Sequence, residues 1–144
     1  MRKAIVSGAN GFVGSAVVKE LISQGYEVYA LVRENHYDQV PINEMVRIVP
    51  FSLENIEALG EVIPINEYEA FYHFAWNGSS GVDRADTALQ LKNAQWTVEC
   101  LQMAKRLGCK RFVPAGSIME HETIAAVYTQ GNSCLLYTSD AADE

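Results

Sequence analysis

The chain of 144 residues is poor in positive charge: 11 lysines and arginines stand against 18 aspartates and glutamates, a formal net charge of −7. That balance argues against a nucleic-acid surface, which needs clustered Lys and Arg to neutralise phosphates. Long apolar runs are also missing, and none approaches the roughly 20 residues of a membrane-spanning helix. No signal peptide is expected, because Met1 leads almost directly into the first apolar segment. Cysteine is scarce. Cys100, Cys109 and Cys134 show no paired spacing, which argues against a disulfide framework and for a reduced, cytoplasmic protein. Neither an internal repeat nor a Pro/Ser-rich linker divides the chain. With 49% hydrophobic residues, it has the composition and length for one domain with a real core.

What is present is alternation. Ala4-Ile5-Val6 is a short apolar run, the pattern of a buried strand. Val13, Val17 and Leu21 then recur on one face of a helix over 12–24, which Gly25 ends. The run YEVYALVR (26–33) is apolar on both faces, as a parallel strand covered on both sides should be. VRIVP (46–50), AFYHFA (70–75) and KRFVPA (110–115) supply three more strands. SLENIEALGEVI reads as a helix with Ser52 as its N-cap, and a long helix runs from about 85 to 107, stopped by Gly108. The polar stretch ENHYDQVPINEM (34–45) reads as a loop or a degraded crossover helix. Strands alternating with helices specify an α/β fold with a doubly wound parallel sheet.

Between the first strand and the first helix lies SGANGFVG, with Gly8, Gly11 and Gly14 at every third position. Glycine is a poor helix former, so three at a helix start need another reason. Gly8 permits backbone angles a side chain forbids. Gly11 leaves room for a pyrophosphate to approach, and Gly14 lets the new helix pack closely. The helix start offers free N–H groups and a positive dipole end to phosphates. These are the glycine roles of a dinucleotide-binding turn.

GANGFVG resembles the signature of the extended short-chain dehydrogenases/reductases, the family that includes nucleotide-sugar epimerases and dehydratases. The likeness continues through residues 1–133. YHFAWNGSSG (72–81) resembles that family's fourth strand and loop, with Ala75 matching and Trp76 in place of a second alanine. NAQWT (93–97) resembles its Asn-Val-x-Gly-Thr motif, with Trp96 replacing the small residue. The resemblance implies a Rossmann-type domain that binds a nicotinamide dinucleotide through Gly8, Asn10, Gly11, Phe12, Val13, Gly14, Arg33, Ser52, Leu53, Ala75 and Asn93. Trp76 is expected to reshape the nicotinamide side of the pocket. At the end of the second strand, where NAD-specific sites carry Asp or Glu, this chain has Arg33. A guanidinium suits a 2′-phosphate, which favours NADP over NAD; Glu34 as a ribose acceptor is the alternative.

The implied activity is hydride transfer on a small-molecule substrate such as a nucleotide sugar or related alcohol. Ser117, after the fifth strand, matches the family's catalytic Ser/Thr; a helix-cap serine is the alternative. The family's Tyr-x-x-x-Lys occurs nowhere in this chain, for Tyr128 is followed four residues later by Asn132 and Tyr137 by Ala141. Residues 134–144, CLLYTSDAADE, continue no upstream pattern and read residue for residue as the translation of a transposase-type sequencing adapter. The expectation is thus the N-terminal part of a Rossmann-type domain over 1–133, truncated after the fifth strand and lacking turnover by itself, followed by an artefactual tail. A non-catalytic NADP-sensing module of the same fold is the competing reading. The long helix carries two apolar stripes, one through Ala88, Leu91, Ala94, Val98 and Leu101, the other through Leu89, Trp96, Cys100, Met103 and Leu107. In similar enzymes this helix pairs across a homodimer interface; burial against a further crossover helix is the alternative. His73 reads as a packed strand residue and His36 as solvated, and no metal site is expected around His121.

Overall fold

The computed structural model describes residues 1–130, and the chain divides into two compact units, the first ending at Pro114 and the second starting at Ala115. The expected tail lies outside the described residues. In the first unit, β1 (Lys3–Ser7) passes into α1 (Phe12–Ser23), and β2 (Glu27–Val32) is followed by β3 (Val46–Pro50). A 3-10 segment (Leu53–Ala58) continues into α2 (Leu59–Val62), then β4 (Ala70–His73). A 3-10 turn (Gly81–Ala85) precedes α3 (Thr87–Leu107) and β5 (Phe112–Pro114). The second unit holds α4 (Ile118–Gln130) among its described residues.

The described strands form one parallel sheet in the order β3-β2-β1-β4-β5. β1 therefore sits centrally, with β2 on one side and β4 on the other. Its Ile5 is in register with Tyr29 of β2 and Phe71 of β4. Alternate residues go to opposite faces. Ile5, Leu31, Val49 and Phe71 pack with Leu59 of α2 and Cys100, Met103 and Leu107 of α3. Ala4, Val6, Val28, Ala30 and Val32 pack with Val18 and Leu21 of α1. The doubly covered sheet is the Rossmann-type arrangement that the alternation specifies.

Local chemistry sets the element ends. Asp86 accepts a hydrogen bond from the Leu89 N–H (3.1 Å), so α3 starts at Thr87, two residues after the expected start near 85, and 81–85 is a separate 3-10 turn. The helix expected over 52–63 breaks at Asn55, whose backbone is non-helical (φ −141°, ψ 61°). Asn competes poorly in helix interiors because its side chain favours turns. Segment 34–45 is a loop with turns and no helix; its Val40 is buried against the α1 face. The two stripes of α3 separate cleanly. Cys100, Met103 and Leu107 are buried, whereas Leu91, Val98 and Leu101 are exposed.

Candidate functional site

At the carboxyl ends of β1 to β4 the first unit opens a cleft of about 510 Å³. Seven of the expected site residues line it: Gly8, Asn10, Gly11, Arg33, Ser52, Leu53 and Ala75. Phe12, Val13 and Gly14 form the first turn of α1 instead, with Phe12 and Val13 exposed and Gly14 buried. The cleft sits at the reversal in strand order, where open α/β sheets bind ligands.

The glycine turn is held by close backbone approach. Gly8 has φ +66°, and a Cβ there would lie 2.8 Å from the Phe74 carbonyl carbon and 2.9 Å from the Ala75 nitrogen. A Cβ on Gly14 would strike the Gly8 carbonyl group. Its small size thus serves the contact between α1 and the turn, more than one between α1 and the strands. Gly11, the N-cap, has extended backbone, and a Cβ there would press only on the Gly8 oxygen, at 3.3 Å. No side chain caps α1 and no acidic residue lies in its first turn. The first intrahelical bond runs from the Ser15 N–H to the Gly11 carbonyl (2.9 Å). The amides of Phe12, Val13 and Gly14 precede it and have no intrahelical acceptor. A glycine-lined concavity beside an uncapped helix start suits a phosphate-bearing ligand.

On the β2/β3 side, Arg33 is exposed and shows no ion pair among the described residues. Ser52 accepts from the Glu54 N–H (3.2 Å), confirming it as an N-cap. An adjoining hollow of about 380 Å³ is lined by both, together with Glu34 and Asn55.

The β4 side is built differently. The Ser7 hydroxyl accepts from the Phe74 and Ala75 N–H groups (3.1 and 3.2 Å) and lies 2.8 Å from His73 Nδ1. With both lone pairs engaged, its single proton goes to Nδ1, which fixes the His73 tautomer with hydrogen on Nε2. His73 is buried and stacked on Phe112, and desolvation pushes its imidazole down to about 4, so it is neutral. Its Nε2 meets no hydrogen-bond partner among the described residues. It is a packed residue, as the strand pattern suggests.

Beyond Ala75, α3 clamps the loop. Asn93, buried, donates from Nδ2 to the Asn77 carbonyl (2.7 Å) and to Gln90 Oε1 (3.2 Å), and accepts from the Asn77 N–H (3.0 Å). Gln90 Nε2 donates to the carbonyls of Gly78 (3.1 Å) and Asp83 (3.0 Å), and its Oε1 also accepts from Trp76 Nε1 (2.9 Å). Asn93 therefore stands behind the cleft wall. Gln90 carries no motif signal; only its spacing, one turn before Asn93 on the helix, hints at a shared face.

Ser117 belongs to the second unit. Its N–H donates to Glu120 Oε1 (3.1 Å) and its carbonyl accepts from the Glu120 N–H (3.1 Å), so it sits at the start of α4 with half of a capping box. Cys100 and Cys109 are not activated; burial pushes both thiols up to about 12. His36 is exposed, with Nδ1 2.9 Å from the Glu34 carbonyl. No helix among the described residues is long and apolar enough to cross a membrane.

Known proteins share this architecture. An epimerase from Methanothermobacter thermautotrophicus superposes with a TM-score of 0.70 at 23% identity, over 82% of this chain and 36% of that one. A short-chain dehydrogenase/reductase superfamily protein from Agrobacterium tumefaciens, solved with bound NAD, gives 0.61 at 29% identity, over 82% and 33%. The dTDP-6-deoxy-L-talose 4-dehydrogenase (NAD(+)) of Aggregatibacter actinomycetemcomitans is 29% identical over 119 residues, 81% of this chain and 42% of that protein. The chain thus spans well under half the length of these relatives. The family described as NAD dependent epimerase/dehydratase matches residues 4–134, and the chain belongs to it.

Proposed function

We propose that the cleft binds a nicotinamide dinucleotide and that the protein serves NAD(P)-dependent oxidoreduction of the epimerase/dehydratase type, on a nucleotide sugar or related alcohol. The glycine turn carries this reading. Gly8 and Gly11 line a cleft beside an uncapped helix start, in a chain whose family and NAD-bound relative point the same way. When bound, the nicotinamide supplies or accepts hydride. The chain's part is to seat the pyrophosphate on the amides of the α1 start, with Ala75 and the braced loop behind the second nucleoside. Ser117 is proposed to orient the substrate oxygen. No Tyr-x-x-x-Lys lies in these residues, so the 144-residue chain should bind cofactor weakly and without turnover.

Arg33 is proposed to read a 2′-phosphate, favouring NADP, because it is exposed at the cleft without an ion pair among the described residues. NAD with Glu34 on the ribose is the second reading, supported by the NAD-linked relatives and by the place of Glu34 in the adjoining hollow. Calorimetry with both cofactors tests the assignment. Gly11→Val should weaken binding by at least about tenfold, or 1.4 kcal/mol, with the fold kept. Arg33→Ala should weaken NADP by about ten- to a hundredfold, the worth of a charge-assisted bond, and leave NAD nearly unchanged. Equal losses for both cofactors would overturn the NADP preference, and no effect of Gly11→Val would overturn the turn's role.

The exposed stripe of Leu91, Val98 and Leu101 is proposed as the face through which two chains pair. Analytical ultracentrifugation of the wild type and of Val98→Glu tests it, a shift from dimer to monomer being the expected result. We also propose a cytoplasmic setting, and a domain that runs to residue 133 with 134–144 foreign to it. Recovery of the natural gene tests that boundary.

A further inference from the structure

The half of the cleft beyond β4 is lined by two aromatic residues; Phe74 packs partly buried on the α1-side core and stacks on Tyr72, whereas Trp76 stands exposed, in a setting unusual for a surface ring. It is about half exposed, at 45%, yet it is fixed. Its only polar atom, Nε1, already donates to Gln90 Oε1 at 2.9 Å. Gln90 cannot turn away without loss. Its two Nε2 protons are taken by Gly78 and Asp83, and its second Oε1 lone pair by Asn93 Nδ2. Flipping the amide would set Nε2 against two donors and Oε1 against two carbonyls. Asn93 in turn pins the backbone of Asn77, next to Trp76. Every proton and lone pair that could let the indole swing is engaged. What Trp76 still offers a ligand is therefore ring surface and not a hydrogen bond.

The sheet order says which part of a ligand meets that surface. Arg33 and Ser52 follow β2 and β3 on one side of the glycine turn, whereas Ala75 and Trp76 follow β4 on the other. A dinucleotide with its pyrophosphate over Gly8 and Gly11, and its adenosine towards Arg33, places its second ring on the Trp76 side. That placement rests on the proposed cofactor reading above. The second ring is a pyridinium, positively charged, when oxidised, and neutral when reduced. An indole is the strongest of the aromatic side chains in attracting a cation. We propose that Trp76 is a specificity-determining residue which favours the oxidised form of the bound cofactor over the reduced form.

Calorimetric titration of NADP⁺ and NADPH, and of NAD⁺ and NADH, into the wild-type chain, Trp76→Ala and Trp76→Phe provides the test. Trp76→Ala should weaken the oxidised form by about three- to tenfold and the reduced form by less than about twofold, with Trp76→Phe between them. Circular dichroism melts of each variant check that the fold is kept; should the alanine variant melt early, the phenylalanine variant, which keeps the ring's bulk, decides. A Trp96→Phe background leaves Trp76 as the sole indole, and its fluorescence should be quenched more by the oxidised form. Equal weakening of both redox forms, or of neither, would overturn the proposal while leaving the cofactor reading intact. A folded wild-type chain that binds none of the four nucleotides would overturn both.

Discussion

The two sides of the cleft are held by opposite means. Beyond β2 and β3, Arg33 and Ser52 stand on local structure, one exposed without an ion pair among the described residues, the other bonded to Glu54 and Asn55, two and three residues along the chain. Beyond β4, the wall is cross-braced: Ser7 ties Phe74 and Ala75 to β1, and Gln90 and Asn93 tie the loop 76–83 to α3. The lesson is that one side can change its side chains cheaply, whereas the other is a tertiary assembly whose parts depend on one another. Low-dielectric, fully satisfied networks rigidify a site, and a partly satisfied one is costly.

The largest effect should come where the sides meet, at the glycine turn. Gly14→Ala places a methyl group into the Gly8 carbonyl, with the Gly8 carbon itself only 2.8 Å away. Both atoms belong to the backbone rather than to the end of a flexible side chain, so relief requires the turn or α1 to shift. Strain of this kind in a packed interior costs about 1–3 kcal/mol or more. Urea unfolding should show that loss and cofactor binding should vanish with it. A variant as stable as the wild type would mean that α1 can slide away from the turn.

The braced side should also fail in acid, through His73. Its folded pKa of about 4 lies below the ordinary histidine value, so between the two the unfolded chain binds a proton that the folded chain excludes. Stability is full above about pH 6.5 and is lost as the pH falls towards 4, by up to about 3 kcal/mol from this group. Protonation would also turn Nδ1 into a donor against the Ser7 hydroxyl that anchors Phe74 and Ala75. Urea midpoints between pH 7.5 and 4.5 should fall less steeply for His73→Asn, which keeps an acceptor near the Nδ1 position and cannot ionise. Parallel slopes would show that other groups govern the acid limb.

Asn93→Ala removes three hydrogen bonds from a buried position and leaves the Asn77 N–H and carbonyl unpaired. Each buried orphan costs about 1–3 kcal/mol. A loss near the lower end is expected, because the loop lies at the surface and water can enter. Trp76 should also become more mobile, seen as lower fluorescence anisotropy. Unchanged anisotropy would deny the bracing.

This contrast also explains what the sequence showed and what it hid. The glycine turn was legible because its spacing encodes backbone geometry over a few residues, and Gly8 does take the positive φ that the spacing suggested. The central strands β1, β2 and β4 were legible because burial on both faces leaves nearly continuous apolar runs, whereas the edge strands β3 and β5 are mostly exposed and show only as shorter runs. The Ser52 cap is local and was read correctly, although Asn55 then breaks the helix it begins. Gln90 was invisible. A glutamine on a helix looks like a solvated residue until a loop of another element folds over it. The tautomer of His73 is likewise set by Ser7, 66 positions away, and no local pattern carries that pairing.

The smallest effect should be Ser52→Ala. The lost bond is one cap, to the Glu54 N–H, at the start of a short 3-10 segment. Loss of such a cap costs about 0.5–2 kcal/mol, and the exposed setting here favours the low end. The sharper measurement is the double variant with Asn93→Ala. The two side chains share no hydrogen-bond partner, one serving Glu54 and the other Asn77 and Gln90. Effects at independent sites add to within about 0.3–0.5 kcal/mol. The double variant should therefore lose the sum of the two single losses in urea unfolding. A coupling above about 1 kcal/mol would show that the β2/β3 side leans on the braced side after all. Repeating the cycle with saturating cofactor sharpens it further: a ligand spanning both sides links them, so coupling should appear only in its presence.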